Sequence, residues 1–335
     1  MPPDFPAAAV SYSEFGHPAT QLESEPRDPQ LTSIQPGGGV CMRIELAWGR
    51  LRRAYLKTFR RGYVQRMAAR RQGSHNACPH EVLDARDVKY YQNQGGYYWL
   101  PEDDPFLWRE RLPFARVGLG ELVMLVAGLS LLSVLAAWIY PWLALLPALV
   151  AVEIIWFFRD PPRSVPTESG LVIAPADGKV VAIQENDFDA FIGGPSVTIG
   201  VFLSIFNVHI NRAPVQSRVI GQTYRRGKFL NALRPESARE NEQLATRLQE
   251  TTAPYRRYIV RQITGAIARR IVCCVAPGDQ LQRGEKYGMI KLGSRTELVM
   301  PRDETLRMHV KLGDTIQAGV TVLAQFDTAP RELSV

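Results

Sequence analysis

Cysteine is scarce in this chain: four among 335 residues, at positions 41, 78, 273 and 274. That excludes a disulfide-stapled scaffold and makes a cytosolic thiol environment the default. The N-terminal stretch MPPDFPAAAVSYSEFG lacks a basic region followed by an apolar one, so no secretory signal is read there. No glycine-rich phosphate loop is present, and nothing points to nucleotide binding. The Gly-x-Ser-x-Gly elbow of serine hydrolases is missing as well. Histidine is rare, with five in all. His75, Cys78 and His80 have metal-ligand spacing but no fourth partner, so they read as a loop and no metal is expected.

What is present is unevenly distributed. Hydrophobic residues make up 46%, enough for one large or two modest domains, and the formal charge is +7. Residues 1–40, rich in Pro, Ser, Gly and acidic groups, read as a disordered tail. Residues 41–115 read as a basic, partly helical, membrane-proximal extension. Within it LAWGRLRRAYLKTFRRGYVQRM mixes aromatic and aliphatic residues with arginine, as an interfacial helix on anionic lipid does. Nucleic acid is not expected as a partner.

Two apolar runs follow, 118–140 and 143–158, each with a single acidic residue, Glu121 and Glu153. A lipid-spanning helix needs about 20 apolar residues. The pair therefore reads as a hydrophobic helical hairpin over 117–158, with a transmembrane and a re-entrant form both open. Arg109, Arg111 and Arg116 precede it, and Arg159 and Arg163 follow. Both flanks are thus expected on the cytoplasmic face of a cell membrane.

After Pro161-Pro162 come short β-rich runs separated by Gly, Pro and Asp turns, including LVIAPADGKVVAIQE, SVTIGVFLSI and RRYIVRQI. The polar stretch at 235–250 is the one helix expected among them. VAPGDQLQRG at 275–284 and VKLGDTIQAG at 310–319 echo each other at both glycines and the aspartate, a repeated hairpin signal. The fold class is therefore mainly β with some helix. It is similar to the barrel-sandwich of lipoyl and biotinyl domains, although no modifiable lysine stands alone at a hairpin tip.

FFRDPPR at 157–163, APADGKV at 174–180, FNVHINRAPV at 206–215, YRRGKFLNA at 224–232, ENE at 240–242 and YGMIKLGS at 287–294 occur in this order. Together they resemble the phosphatidylserine decarboxylase proenzymes of the shorter bacterial and archaeal type, over about residues 117–325. The resemblance implies a catalytic domain over 159–330 that cleaves itself between Gly293 and Ser294, giving a β chain of 1–293 and an α chain of 294–335. Ser294 would become an N-terminal pyruvoyl group, able to form a Schiff base with the amine of phosphatidylserine, with neither metal nor pyridoxal phosphate. The products would be phosphatidylethanolamine and CO2.

By the same resemblance Asp177 and His209 assist Ser294. Arg212 occupies the position where the longer family type has a second histidine, which leaves the identity of the processing base open. Lys228, Arg212, Arg225 and Arg226 would meet the lipid phosphate. A homo-oligomer is left open, and the rival reading is a membrane-anchored barrel-sandwich binding module that never cleaves.

Overall fold

The computed structural model describes residues 20–74, 78–266, 270–291 and 293–327. The β-rich part begins with β1 (Leu171–Ile173), β2 (Gly178–Asp189), β3 (Gly194–Leu203), β4 (Ile210–Arg212) and β5 (Ser217–Arg225). β6 (Gln243–Glu250), β7 (Arg257–Ile263), β8 (Arg270–Cys273), β9 (Gln280–Leu281) and β10 (Lys286–Lys291) follow. The last strands are β11 (Ser294–Pro301), β12 (Leu306–Met308), β13 (Thr315–Ile316) and β14 (Val322–Phe326).

Eight strands form one curled antiparallel sheet in the order β13–β2–β3–β11–β7–β6–β5–β9. Two three-stranded sheets, β4–β10–β8 and β1–β14–β12, accompany it. Strand alternation sends Ile199, Val201, Leu244, Leu248, Tyr258, Val260, Leu298 and Met300 into a common core. Burying each such side chain contributes about 1.5–3 kcal/mol. β11 lies near the middle of the sheet and is buried along its whole length. The two Gly-Asp repeats supply β9 and β13, at opposite edges of the same sheet.

The second half of the stretch expected as a helix at 235–250 is strand. Only one turn, Ser237–Glu240, is helical, and Gln243–Glu250 is β6. Leu244, Thr246 and Leu248 are fully buried at every second position, so a period of two lies beneath a polar composition.

The expected disordered tail is also corrected from Thr20 onward, while residues 1–19 lie outside the described residues. Glu25 N donates to Ile220 O at 2.7 Å and Leu22 N to Gln249 Oε1 at 2.8 Å. Leu31 and Ile34 are buried. Apolar contact, backbone pairing with β5 and β8, and hydrogen bonds to the Gln249 side chain of β6 offset the entropy of ordering this segment.

Upstream lie α1 (Val40–Phe59), α2 (Arg61–Arg70) and α3 (Ala85–Tyr91), the last opened by an Asp84/Asp87 capping box. The apolar pair is α4 (Leu119–Ile139) and α5 (Leu145–Phe157), joined by a single 3₁₀ turn at Pro141–Ala144. At 1.5 Å per residue α4 is about 31 Å long. Among the described residues one helix, Arg116–Ile139, is long and apolar enough to cross a membrane, judged by length and composition alone. Its flank is apolar and open, with Leu131 and Val134 exposed and Trp138 85% exposed. The base of the hairpin is pinned by Ala115 N to Phe158 O and Asp160 N to Pro113 O, both 2.8 Å, so both chain ends leave on the same side.

Candidate active site

Ser294 opens β11, opposite Leu203 of β3 and beside Ile263 at the end of β7, the partner of Arg295. It is completely buried, and its Oγ has no hydrogen-bond partner among the described residues. An unpaired buried hydroxyl costs about 1–3 kcal/mol, which marks the position as something other than ordinary strand. The preceding Gly293 has φ +62°, a left-handed conformation that a side chain would strain. Its carbonyl oxygen nests against Gly265, where a Cβ would lie 2.1 Å from that oxygen, well inside van der Waals contact distance.

The amide of Gly293 donates to Nε2 of His209 at 3.2 Å. His209 Nδ1 faces the carbonyl of Asn207 at 2.9 Å. A carbonyl can only accept, so Nδ1 carries the proton and the Nε2 lone pair points at Gly293. Burial pushes the imidazole down to about 4, with Arg159 pushing the same way and the Asn207 carbonyl opposing. The ring is therefore neutral at physiological pH.

The Asn207 side chain accepts from both the amide and the hydroxyl of Ser204, closing the loop that presents the imidazole. On its other side His209 meets Phe157, the last residue of α5, with ring centroids 4.5 Å apart. Arg159 and the Trp156 indole both donate to the Phe206 carbonyl, fastening this loop to the base of the apolar hairpin.

Asp177 is not brought to this pair. Its Oδ2 is paired with Arg163 at 2.8 Å and its Oδ1 accepts from Ala318 N at 2.7 Å, so neither His209 nor Ser294 is its hydrogen-bond partner. Arg212 is buried as well, donating to the Gly284 carbonyl at 3.0 Å and pairing with Asp160 at 3.3 Å. Lys286 pairs with the same Asp160. Asp177 and Arg212 thus belong to ionic stitching between the 159–163 segment and the strands. Lys228, Arg225 and Arg226 are exposed. Lys228 pairs with Glu240 at 2.6 Å, and Arg225 donates to the Arg239 carbonyl.

Three residues of the site escaped the sequence reading: Asn207, Gly265 and Asn241. Asn241 donates to the carbonyls of Thr264 (2.7 Å) and Leu230 (2.8 Å), tying the 228–232 loop to the strand end that cradles Gly293. Asn207 and Asn241 stand inside FNVHINR and ENE, so motif membership was their only signal. Gly265 carried none. His75 lies outside the described residues; among those described, no group of three or more His, Cys, Asp or Glu could hold a metal ion.

A family model described as phosphatidylserine decarboxylase matches residues 152–324. A Rhodopirellula baltica protein named phosphatidylserine decarboxylase proenzyme is 53% identical over 239 residues, covering 71% of this chain and 99% of that protein. Proteins of the same name from Carboxydothermus hydrogenoformans and Nitrosomonas eutropha are 42% and 40% identical over 217 and 223 residues. These alignments cover 65% and 66% of this chain and 98% and 96% of theirs. The chain belongs to the phosphatidylserine decarboxylase family and is an enzyme of the decarboxylase class.

Proposed function

We propose that the chain cuts itself between Gly293 and Ser294 and then converts phosphatidylserine to phosphatidylethanolamine and CO2. One observation carries this reading: the buried, unpartnered Ser294 hydroxyl directly after a left-handed glycine whose amide faces a neutral imidazole. A serine with no competing partner, next to a carbonyl fixed by close packing, fits a residue destined to become a pyruvoyl group.

In the first step Ser294 Oγ loses its proton and bonds to the Gly293 carbonyl carbon. The Gly293–Ser294 C–N bond then breaks, its nitrogen takes up a proton, and an ester remains. Loss of the Ser294 Cα proton and scission of its Cβ–O bond release Gly293 as the carboxylate end of a β chain, 1–293. The resulting enamine tautomerises to an imine, and water replaces ammonia at that carbon to leave a ketone on the α chain, 294–335. His209 suits proton transfer here because its Nε2 is already free of a proton.

The pyruvoyl group, once formed, supplies a ketone for the substrate amine and an adjacent carbonyl that takes up the electrons released with CO2. His209, held by Asn207 against Phe157, is the group in place to move a proton at that centre. Asp177 is assigned a holding role, because the Asn207 carbonyl orients the histidine. For the lipid phosphate the exposed cations Lys228, Arg225 and Arg226 are retained, whereas Arg212 is committed to Asp160. Arg159 joins them. Among the described residues its guanidinium hydrogen-bonds only the carbonyls of Trp156 and Phe206, beside the histidine loop.

In this reading α4 and α5 insert in the cell membrane with the β domain on its cytoplasmic face. The outward stripe of α1 supports this: Val40, Ile44, Trp48, Leu51, Tyr55 and Phe59 are each more than half exposed, with exposed Arg43, Arg50, Arg60 and Arg61 around them. Such a helix lies on anionic lipid. The contact of Phe157 with His209 supports a site at the foot of the inserted hairpin, where a lipid head group would be within reach.

The test is the intact mass of the purified protein and of its Ser294→Ala variant. Expected are two fragments dividing after Gly293, the smaller lighter than its unmodified sequence by one ammonia, about 17 Da, and blocked to N-terminal sequencing, with the variant whole. A folded wild-type chain that stays whole sinks the reading in favour of a non-processing binding module.

A further inference from the structure

Lys291, the last residue of β10 and two residues before Gly293, is a buried ammonium that the chemistry above does not use. It donates to Gln35 Oε1 at 2.8 Å and to Glu121 Oε1, in the first turn of α4. Glu121 Oε2 faces Lys89 of α3 at 3.8 Å. Lys89 in turn holds both oxygens of Glu45 on α1, at 2.9 and 3.1 Å, and the Tyr90 hydroxyl donates to the same carboxylate. The result is a chain of alternating charge, two ammonium groups and two carboxylates, buried where α1, α3, α4 and the segment around Gln35 converge on one strand end.

Two features set this cluster apart from ordinary ionic stitching. Only Lys291 lies inside the segment matched by the family model, 152–324, while Gln35, Glu45, Lys89, Tyr90 and Glu121 all precede it. The second is leverage. Where β10 ends decides where Gly293 sits, and the contact of Gly293 with His209 depends on that placement. A buried ammonium stripped of its carboxylate is strongly disfavoured and swings toward water, drawing the strand end with it.

We infer that Lys291 and Glu121 form an ionic latch that positions the Gly293–Ser294 bond, so that self-cleavage waits until α4 and the upstream helices have docked. The inference rests on the self-cleavage reading above. Lys291 and Glu121 are positioning residues in it and take no proton. Glu45, Lys89 and Gln35 keep the latch electrically neutral from behind. Because Glu121 and Lys291 both stay in the β chain, the latch survives cleavage and continues to hold the new Gly293 terminus.

The experiment follows release of the 294–335 fragment with time, by mass, from full-length protein synthesised in the presence of phosphatidylcholine–phosphatidylglycerol vesicles. Four chains are compared with wild type: Glu121→Leu, Lys291→Met, the double variant, and Arg302→Met, which removes an exposed pair with Glu185. Glu121→Leu leaves the Lys291 charge stranded and is expected to slow cleavage about 10-fold or more, while the double variant recovers at least half of that loss on a logarithmic scale. Arg302→Met is expected to match wild type.

Decarboxylation per mole of pyruvoyl, in whatever fraction has been processed, is expected to stay within about twofold of wild type. Glu121→Leu cleaving at the wild-type rate overturns the latch, as does a double variant no faster than Glu121→Leu. Activity per pyruvoyl that falls in step with cleavage also overturns it, since the cluster would then support the site at large. A wild-type chain that does not cleave condemns the self-cleavage reading instead, and the two failures are distinct.

Discussion

At one edge of the eight-stranded sheet, β9 is tied to β5 by Val219 N to Asp279 O and Gly278 N to Val219 O, both 2.8 Å. At the other edge β13 is tied to β2 by Val180 N to Asp314 O at 2.9 Å and Gly313 N to Val180 O at 2.8 Å. The likeness extends to side chains: Asp279 Oδ2 accepts from Ala276 N and Asp314 Oδ2 from Lys311 N, each at 2.8 Å. Gly284 N and Gly319 N close the two repeats on the carbonyls of Ala213 and Ala174.

Toward the centre the likeness ends. At the start of β7, Arg257 Nη1 donates to the Phe191 carbonyl and the Tyr258 hydroxyl to Glu250. β11, which holds the matching rank in the other half, begins with a hydroxyl that has no partner among the described residues, after a left-handed glycine. The duplicated edges supply support, and the proposed chemistry falls where the two halves differ. That division can be tested from the centre outward.

The largest effect is expected at Gly265. Any side chain there displaces the Gly293 carbonyl, and the obstacle is backbone that cannot rotate away. Gly265→Ala should slow appearance of the 294–335 fragment about 100-fold, the scale on which a 1 Å misplacement acts. Gly194→Ala is the matched control, because a Cβ at that position meets nothing within 4 Å. Equal cleavage by both variants would mean that the departure at β11 does not depend on close packing.

Next comes acid. His209 is held down to about 4 by burial, against about 6.5 in the unfolded chain. Between those values the unfolded state binds the extra proton, so stability rises with pH through this window. It is complete above about 6.5 and falls on acidification toward 4, by up to about 3 kcal/mol. Urea titrations from pH 7 to pH 4 should show this slope, and His209→Gln should flatten it. Cleavage in wild type should be level from about pH 6 to 8, because the imidazole is neutral throughout. A cleavage rate that rises through pH 6.5 would contradict a neutral His209.

These outcomes bear on what could be read from the residues alone. Ser294 and His209 were legible because each sits in a short ordered motif, and the structure sets them one residue apart in space through Gly293. The barrel-like frame was legible too, since Gly-Asp turns report hairpins locally. β6 was not, because its alternating Leu244, Thr246 and Leu248 are diluted by charged neighbours that mimic a surface helix. Asp177 was read as a partner of the serine, yet its carboxylate answers to Arg163 and Ala318. No spacing rule reports a partner 141 residues away. The Lys291 latch was invisible for the same reason, its partners lying 170 and 256 positions distant. Local chemistry is written locally, whereas packing across strands and between helices is decided by the assembled fold.

The smallest effect tests the likeness itself. Asp279→Ala and Asp314→Ala each remove one acceptor from a turn amide, a loss of about 1 kcal/mol. In a chain of this size that lowers Tm by about 2–4 °C, and neither change reaches β11, so cleavage should be unaffected. The two costs should nevertheless differ in a defined direction. Burial raises the Asp279 carboxyl, with the Ala276 amide and Arg27 opposing. A raised carboxyl binds its proton more tightly in the folded state, so its contribution to stability diminishes as pH rises through the unfolded value of about 3.9. At pH 7 removal of this carboxylate therefore also relieves a desolvation cost, and Asp279→Ala should be the milder of the pair. If scanning calorimetry at pH 7 finds Asp279→Ala the more damaging, the two edges are alike in hydrogen bonding but not in electrostatics, and the repeat is a likeness of backbone alone.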